Sequence, residues 1–140
     1  MFDKMLTIAV DFDGTIAEDA YPKIGKPMPF AFETLKMLDA KGHRLILWTV
    51  RSGRALQEAV DFCKKHGVEF YAVNNEFPGD VFSNSKKESR KVNADIFIDD
   101  RNIGGFIGWG TVYQLIEGDD APPLRKAPKK GLFSFFNKNK

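Results

Sequence analysis

The fold of this chain is decided by the stretch Ile8-Ala9-Val10-Asp11-Phe12-Asp13-Gly14-Thr15. Its apolar start predicts a strand that is buried on both faces. Side chains alternate along an extended chain, so Asp11 and Asp13 are expected to leave the strand tip on the same side. Two neighbouring carboxylates repel each other unless a cation lies between them or one of them holds a proton. The stretch therefore predicts a cation or acid–base site, with an ordinary Asp-Gly turn as the alternative.

Length and composition predict one globular unit, because 140 residues with 43% hydrophobic residues suffice for a single core. Cys63 is the only cysteine, and His43 and His66 are the only histidines. These counts exclude an internal disulfide framework and argue against a Cys/His metal site. The sequence contains neither a signal-peptide-like stretch nor about eighteen consecutive apolar residues, so we expect a cytoplasmic protein.

The chain is predicted to consist of a folded domain, 1–118, and a basic tail, 119–140, and the two differ in charge. Residues 125–140 contain six basic residues and no acidic one, whereas residues 1–124 contain fifteen basic and nineteen acidic residues, a net charge of −4. An acidic body of this kind does not predict a nucleic-acid-binding face.

The tail combines a proline-containing linker, 118–130, with the apolar segment 131–138, which holds Leu132, Phe133, Phe135 and Phe136. This composition predicts a weak contact with an anionic membrane surface or with a partner groove. The alternative is an end that is unstructured or folded against the body.

The hydrophobic pattern predicts strands that alternate with helices. After a loop over 16–29, the predicted elements are a helix over 30–41, a strand over 44–48, a helix from Ser52 to His66, and strands over 69–73 and 94–98. The polar segment 76–93 is predicted to contain at most a short helix around 86–91. Residues 109–116 are predicted to form a last helix or, alternatively, a fifth strand. Such alternation predicts an α/β fold: a three-layer, doubly wound, mostly parallel sheet of Rossmann-like type, with helices on both faces.

Polar residues follow each predicted strand. They are Asp11 and Asp13, Thr49 and Arg51, Asn74 and Asn75, and Asp99 and Asp100. A parallel sheet gathers the carboxyl ends of its strands at one edge, where ligands bind in folds of this class. Carboxylates that converge without histidine or cysteine predict a hard oxygen site for Mg²⁺. A hydroxyl at a helix N-terminus, Thr49, favours an anion, and an aspartate beside a metal can attack phosphorus.

The motifs resemble those of the haloacid dehalogenase (HAD) superfamily. Residues 10–15 are similar to its first motif, Thr49 to its second, Lys91 to its third, and Asp99-Asp100 to its fourth. The segment 91–101 is similar to that of small HAD phosphatases and 5′-deoxyribonucleotidases. The resemblance covers residues 6–105 and implies a phosphomonoester hydrolase that requires Mg²⁺ and forms an aspartyl-phosphate.

The resemblance also implies a role for each matching residue. Asp11 is the nucleophile, and Asp13 is a general acid/base that points away from the metal. Thr49 binds the transferring phosphoryl group, and Lys91 neutralises charge. The metal is held by Asp11, Asp99 and Asp100, with Asp13 contributing its backbone carbonyl. Many members of the family have more residues between this lysine and the acidic motif than the eight that separate Lys91 from Asp99. Lys86 or Lys87 is therefore an alternative to Lys91.

Arg51 and Asn75 are predicted substrate contacts. The alternative for Arg51 is an exposed residue without a role in the site. The alternative for the Asn74-Asn75 pair is an ordinary turn. Only about 30 residues separate Thr15 from the second strand, so no cap domain is predicted. A site without a cap is open, and it could accept a bulky phosphorylated small molecule or be closed by another subunit. A nucleotide or a sugar phosphate fits this description. Two other functions stay open: a phosphotransferase of the same fold, and a phosphoryl-accepting domain similar to response-regulator receivers.

Overall fold

A computed structural model describes residues 5–75 and 92–118 of the chain. Its four strands are β1 (Thr7–Val10), β2 (Arg44–Leu47), β3 (Ala72–Val73) and β4 (Ile96–Ile98), and they form one sheet in the order β3-β2-β1-β4. The three helices are α1 (Ala31–Ala40), α2 (Gly53–Lys65) and α3 (Trp109–Glu117). All pairings in the sheet are parallel. The predicted α/β class with a parallel sheet is confirmed.

β1 is the central strand, as its apolar sequence predicts. Ile8, Ala9 and Val10 are almost fully buried, which requires cover on both faces of the sheet. Val10 pairs with Leu47 of β2 on one side and with Ile98 of β4 on the other. The carboxyl ends of three strands therefore lie at the same level, and the residues that follow them meet at one edge.

The three described helices pack on one face of the sheet. Their buried residues form one core cluster with Ile8, Val10, Leu45 and Leu47. The opposite face is also buried, and there Ala9, Ile46 and Ala72 pack against Val92. The crossover from β3 to β4, residues 76–91, lies outside the described residues, and so does the short helix predicted around 86–91. A helical layer on the second face therefore stays a prediction.

Two predicted strands are longer than the observed ones. Residues 69–73 form a strand only at Ala72–Val73, which pairs with β2 alone. β4 begins at Ile96 instead of residue 94, because the Asp95 carboxylate accepts a hydrogen bond from the Thr7 N–H at 2.8 Å in place of a backbone carbonyl.

The helices lie where the sequence predicts them. Residues 109–116 are helical, so the alternative fifth strand is wrong; Trp109, Val112, Tyr113 and Ile116 all turn inward. Ser52 occupies the N-cap position of α2, although its side chain makes no capping hydrogen bond. No helix within the described ranges is both long and apolar enough to cross a membrane.

The loop that follows Thr15 is fastened to the body at several points. The Glu18 N–H donates to the Lys26 carbonyl at 2.7 Å, and the Met28 N–H donates to the Ile16 carbonyl at 2.7 Å. Trp109 of α3 donates its indole N–H to the Thr15 carbonyl at 2.7 Å, in a buried contact. α3 therefore holds the chain just beyond Asp13 in place.

Trp109→Phe is expected to lower the free energy of unfolding by roughly 1–3 kcal/mol, because it leaves the buried Thr15 carbonyl without this donor. Tyr113→Phe is a matched control on the same helix, since the buried Tyr113 hydroxyl has no hydrogen-bond partner among the described residues. Urea denaturation should therefore show Tyr113→Phe as neutral or stabilising. Equal losses in both variants would contradict this role for the indole.

Candidate active site

A cavity of about 500 Å³ lies beyond the carboxyl ends of β1, β2 and β4. It contains five of the predicted site residues: Asp11, Asp13, Thr49, Asp99 and Asp100. Their convergence follows from the register of the sheet, since these residues come directly after paired strand ends. Four distinct chain segments, including the one that carries Asn74, thus contribute polar side chains to one concave site.

Three carboxylates form a compact cluster in this cavity. Asp11, Asp99 and Asp100 each offer an oxygen, and these oxygens lie within 4.8 Å of one another. The Asp11 N–H donates to the Ile98 carbonyl at 2.9 Å, and the Arg101 N–H donates to the Asp99 carboxylate at 3.1 Å. Asp11 and Asp99 are therefore each held close to the end of their strand.

Burial and mutual repulsion disfavour the charged forms of two acids of this cluster. Burial, and then the neighbouring Asp99 and Asp100, raise the pKa of Asp11 from its ordinary 3.8 to about 8. The hydrogen bond from the Thr15 hydroxyl, at 3.1 Å, opposes this rise. Burial and then Asp99 also raise the pKa of Asp100.

The donor set fits a hard divalent cation. Asp100 has a buried carboxylate oxygen, Oδ1, without a hydrogen-bond partner among the described residues. A cation bound between the three acids would supply that partner and relieve their repulsion. Because all the offered ligands are carboxylate oxygens, the cluster suits Mg²⁺ better than zinc.

Gly14 allows the close approach of the two acidic segments. Its φ is +84°, in the left-handed region that favours glycine. A Cβ at this position would collide with the Asp100 carboxylate. Gly14 is thus required by its backbone conformation and by its neighbour across the site.

Asp13 lies in the same cavity but is bound to a different partner. Both of its carboxylate oxygens accept hydrogen bonds from Arg51, at 2.7 Å from Nε and 2.8 Å from Nη2. The Asp13 side chain is therefore not one of the three carboxylates that come together, in agreement with the expectation that it points away from the metal. A contribution from its backbone carbonyl stays a prediction.

Arg51 is the most densely bonded side chain of the site. The residue is only 1% exposed, so the alternative of a surface residue is wrong. Besides Asp13, it donates to the backbone carbonyls of Pro22, Lys23 and Ala55. All five guanidinium N–H groups are thereby used within the protein. A predicted substrate contact through Arg51 would require one of these bonds to break.

Thr49 and Asn74 form the wall of the cavity on the β2 side. The Thr49 N–H donates to the Asn74 carboxamide at 2.8 Å, and the Thr49 hydroxyl accepts from the Arg51 N–H at 3.1 Å. Asn74 has a φ of +53°, which asparagine tolerates better than most residues. Asn74 lines the cavity and the predicted Asn75 does not.

Other residues of the cavity were not predicted as site residues, namely Asp19, Trp48, Val50 and Arg101. Tyr21, in the loop over 16–29, also lines it and is more than half exposed. The third-motif candidates Lys91, Lys86 and Lys87 lie outside the described residues. The tail, 119–140, also lies outside them.

Comparison with known proteins identifies one relevant relative. No known family model and no curated protein matches the chain. A solved structure of a conserved protein from Bacteroides thetaiotaomicron is 53% identical, with a TM-score of 0.73, over 81% of this chain and 91% of that one. The chain belongs to the family of that conserved protein. The likeness supports the α/β fold and assigns no activity.

Asp11→Asn is expected to change how stability depends on pH when EDTA removes divalent cations. In the folded protein the pKa of Asp11 is about 8 and in the unfolded chain close to 3.8. Between these values the folded state binds the proton more tightly, so the free energy of unfolding of the wild type falls as pH rises from about 4 to about 8.

The amide of the variant has no such proton, so Asp11→Asn should be more stable than the wild type at pH 8, by roughly 1–3 kcal/mol. Urea denaturation at pH 5 and pH 8 measures the difference. Asp39→Asn, on the exposed side of α1, is the control and should keep the wild-type profile. If the free energy of unfolding of Asp11→Asn falls between pH 5 and pH 8 as much as that of the wild type, the raised pKa of Asp11 is contradicted.

Proposed function

We propose that the protein is a Mg²⁺-dependent phosphomonoester hydrolase with a doubly wound HAD-type core and no cap domain, acting through an aspartyl-phosphate on Asp11. The observation that carries this proposal is the cluster of Asp11, Asp99 and Asp100 in a cavity that also holds Asp13 and Thr49. The residues proposed for acid–base, anion-binding and metal-binding roles thus line one cavity of about 500 Å³, which supports the proposal of a phosphate ester as substrate.

Asp11, Asp99 and Asp100 would hold the metal, helped by the Asp13 carbonyl. When bound, Mg²⁺ offsets the repulsion between the anionic nucleophile and the phosphate. The proposed cationic partner of the phosphate is Lys91, or Lys86 or Lys87 in its place.

Asp11 acts as the nucleophile through a carboxylate oxygen. The Thr15 hydroxyl binds its Oδ2 and fixes the orientation of the carboxylate. Attack on phosphorus forms the aspartyl–phosphate bond and breaks the bond between phosphorus and the ester oxygen. That oxygen leaves as an alcohol after receiving a proton from Asp13.

Asp13 then accepts a proton from the water that attacks the phosphorus of the intermediate. This step releases inorganic phosphate and restores the Asp11 carboxylate. Because Arg51 occupies both oxygens of Asp13, one of these hydrogen bonds must loosen before Asp13 can carry a proton. Arg51 is therefore proposed to position the acid/base.

Thr49 is proposed to bind the transferring phosphoryl group. Its hydroxyl oxygen already accepts from the Arg51 N–H, so its own hydrogen is left for a phosphoryl oxygen. The helix that begins at Gly53, four residues further, adds the favourable end of its dipole. The expected substrate is a phosphorylated small molecule, such as a nucleotide or a sugar phosphate.

Asp11→Asn should abolish hydrolysis of 4-nitrophenyl phosphate in the presence of Mg²⁺, because the amide cannot attack phosphorus. Asp19→Asn is the control, since Asp19 lines the same cavity outside the acidic cluster, and it should retain most of the activity. Mg²⁺ should also raise the melting temperature of the wild type and not that of Asp11→Asn. Turnover by Asp11→Asn, or the same turnover in EDTA, would refute the proposal.

The same assay separates the two alternatives. A phosphotransferase would release more 4-nitrophenol than inorganic phosphate once an acceptor alcohol is added. A receiver-like domain would accumulate phosphorylated protein without turnover.

Asp13→Asn should slow hydrolysis of an alkyl phosphate by roughly 10²–10⁴-fold, because its poor leaving group needs a proton. The loss should be much smaller for 4-nitrophenyl phosphate, whose leaving group does not. Arg51→Lys should show the same dependence on the leaving group more weakly, because it removes the paired hydrogen bonds to Asp13. Arg54→Lys, exposed near the start of α2, is the control. Equal losses on both substrates in Arg51→Lys would reduce Arg51 to a structural role.

A further inference from the structure

An apolar groove lies between β4 and α3, on the far side of β4 from β1. The described part of the chain exposes seven large hydrophobic side chains, and four of them border this groove: Phe97, Ile103, Ile107 and Leu115. A contiguous apolar surface of this kind marks an interaction site, whereas scattered exposed side chains do not.

The groove is deep enough to receive side chains. It encloses about 370 Å³, with Ile96 and Ile98 of β4 on one wall and Val112 and Ile116 of α3 on the other. A second apolar cavity of about 350 Å³ shares Phe106 and Ile107 with it. The two cavities therefore form one surface on either side of the chain that leads into α3. Within the described residues, β4 is also an edge strand of the sheet.

We propose that the groove is the docking site of the chain's own segment Leu132–Phe136. The chain leaves α3 at Gly118, next to the groove, since Leu115 and Ile116 of α3 line it. Fourteen residues lie between Gly118 and Leu132 along the sequence, counting the latter, and an extended chain of this length reaches at most about 50 Å. Running back along a nine-residue helix requires only about 14 Å.

The composition of the segment matches the groove. Four of its five residues are large and apolar, and Lys129, Lys130 and Lys138 flank it. Residues 1–124 have a net charge of −4, so electrostatic attraction favours the return of the basic tail to its own body. Covalent attachment gives the segment a local concentration in the millimolar range, far above that of a second copy in dilute solution.

The test places a spin label beside the segment in the full chain. Asn137→Cys supplies the attachment site, and the native Cys63 stays unlabelled because it is buried and its pKa is raised to about 12. We expect paramagnetic broadening of the NMR signals of Ile96, Ile98 and Leu115, with the signals of β3 on the far edge unaffected.

Two tail variants in the labelled protein test which residues anchor the segment. Phe133→Ser combined with Phe135→Ser should abolish the broadening, whereas Leu124→Ser, an apolar-to-polar change in the linker, should preserve it. Persistent broadening in the double variant would overturn the proposal.

A mixed sample distinguishes docking within one chain from docking between two copies. It contains spin-labelled chains without isotope enrichment and isotope-enriched chains without a spin label. Broadening in this mixture would show docking between two copies and overturn the intramolecular assignment. Absence of broadening in the singly labelled protein, with or without anionic lipid vesicles, would overturn it as well. If broadening is present without vesicles and disappears when anionic vesicles are added, docking is supported and a membrane competes for the same segment.

Discussion

Parallel pairing of β1 with both of its neighbours is the constraint on which the site depends. Val10 is level with Leu47 on one side and Ile98 on the other, and each of these residues is the last of its strand. Residues that are far apart in sequence must therefore leave the sheet at one edge. A slip by one residue in either pairing would turn a strand's side chains to the other face and disperse the acids.

The same edge gives two neighbouring acids opposite environments. Asp11 meets two more carboxylates and a hydroxyl, so burial and like charges raise its pKa. Asp13, only two residues away, meets a buried guanidinium that binds both of its oxygens. Enzymes that divide a reaction between two carboxylates separate their roles by such differences in environment. The position of Arg51 therefore matters as much as that of the acids themselves.

The sequence was sufficient for the parts of this arrangement that local patterns encode. The apolar run before Asp11 predicted the central strand, and the periodicity over 30–41 and 109–116 predicted α1 and α3. It also predicted the meeting of Asp11, Asp99 and Asp100, because parallel strand ends share an edge.

The sequence was insufficient where the deciding partner is remote. Arg51 binds groups that lie 28 to 38 residues away, besides the nearby Ala55 carbonyl, and no local pattern distinguishes such a residue from an exposed arginine. Asn74, rather than the predicted Asn75, lines the cavity and accepts from the Thr49 N–H, a contact between residues 25 positions apart. The length of β4 depended on the Asp95 side chain, which takes a place in the hydrogen-bond ladder.

Thr15 connects the chemistry of the site to the core of the fold. Its hydroxyl donates to Asp11, while its carbonyl accepts from Trp109 of α3. The residue itself is fully buried, so it cannot move toward solvent without breaking both contacts. The orientation of the proposed nucleophile is thus set by three elements at once: the pairing of β1, the turn at Gly14, and the packing of α3. Because like charges make the acidic cluster unfavourable on its own, this buried support is what keeps the three carboxylates together.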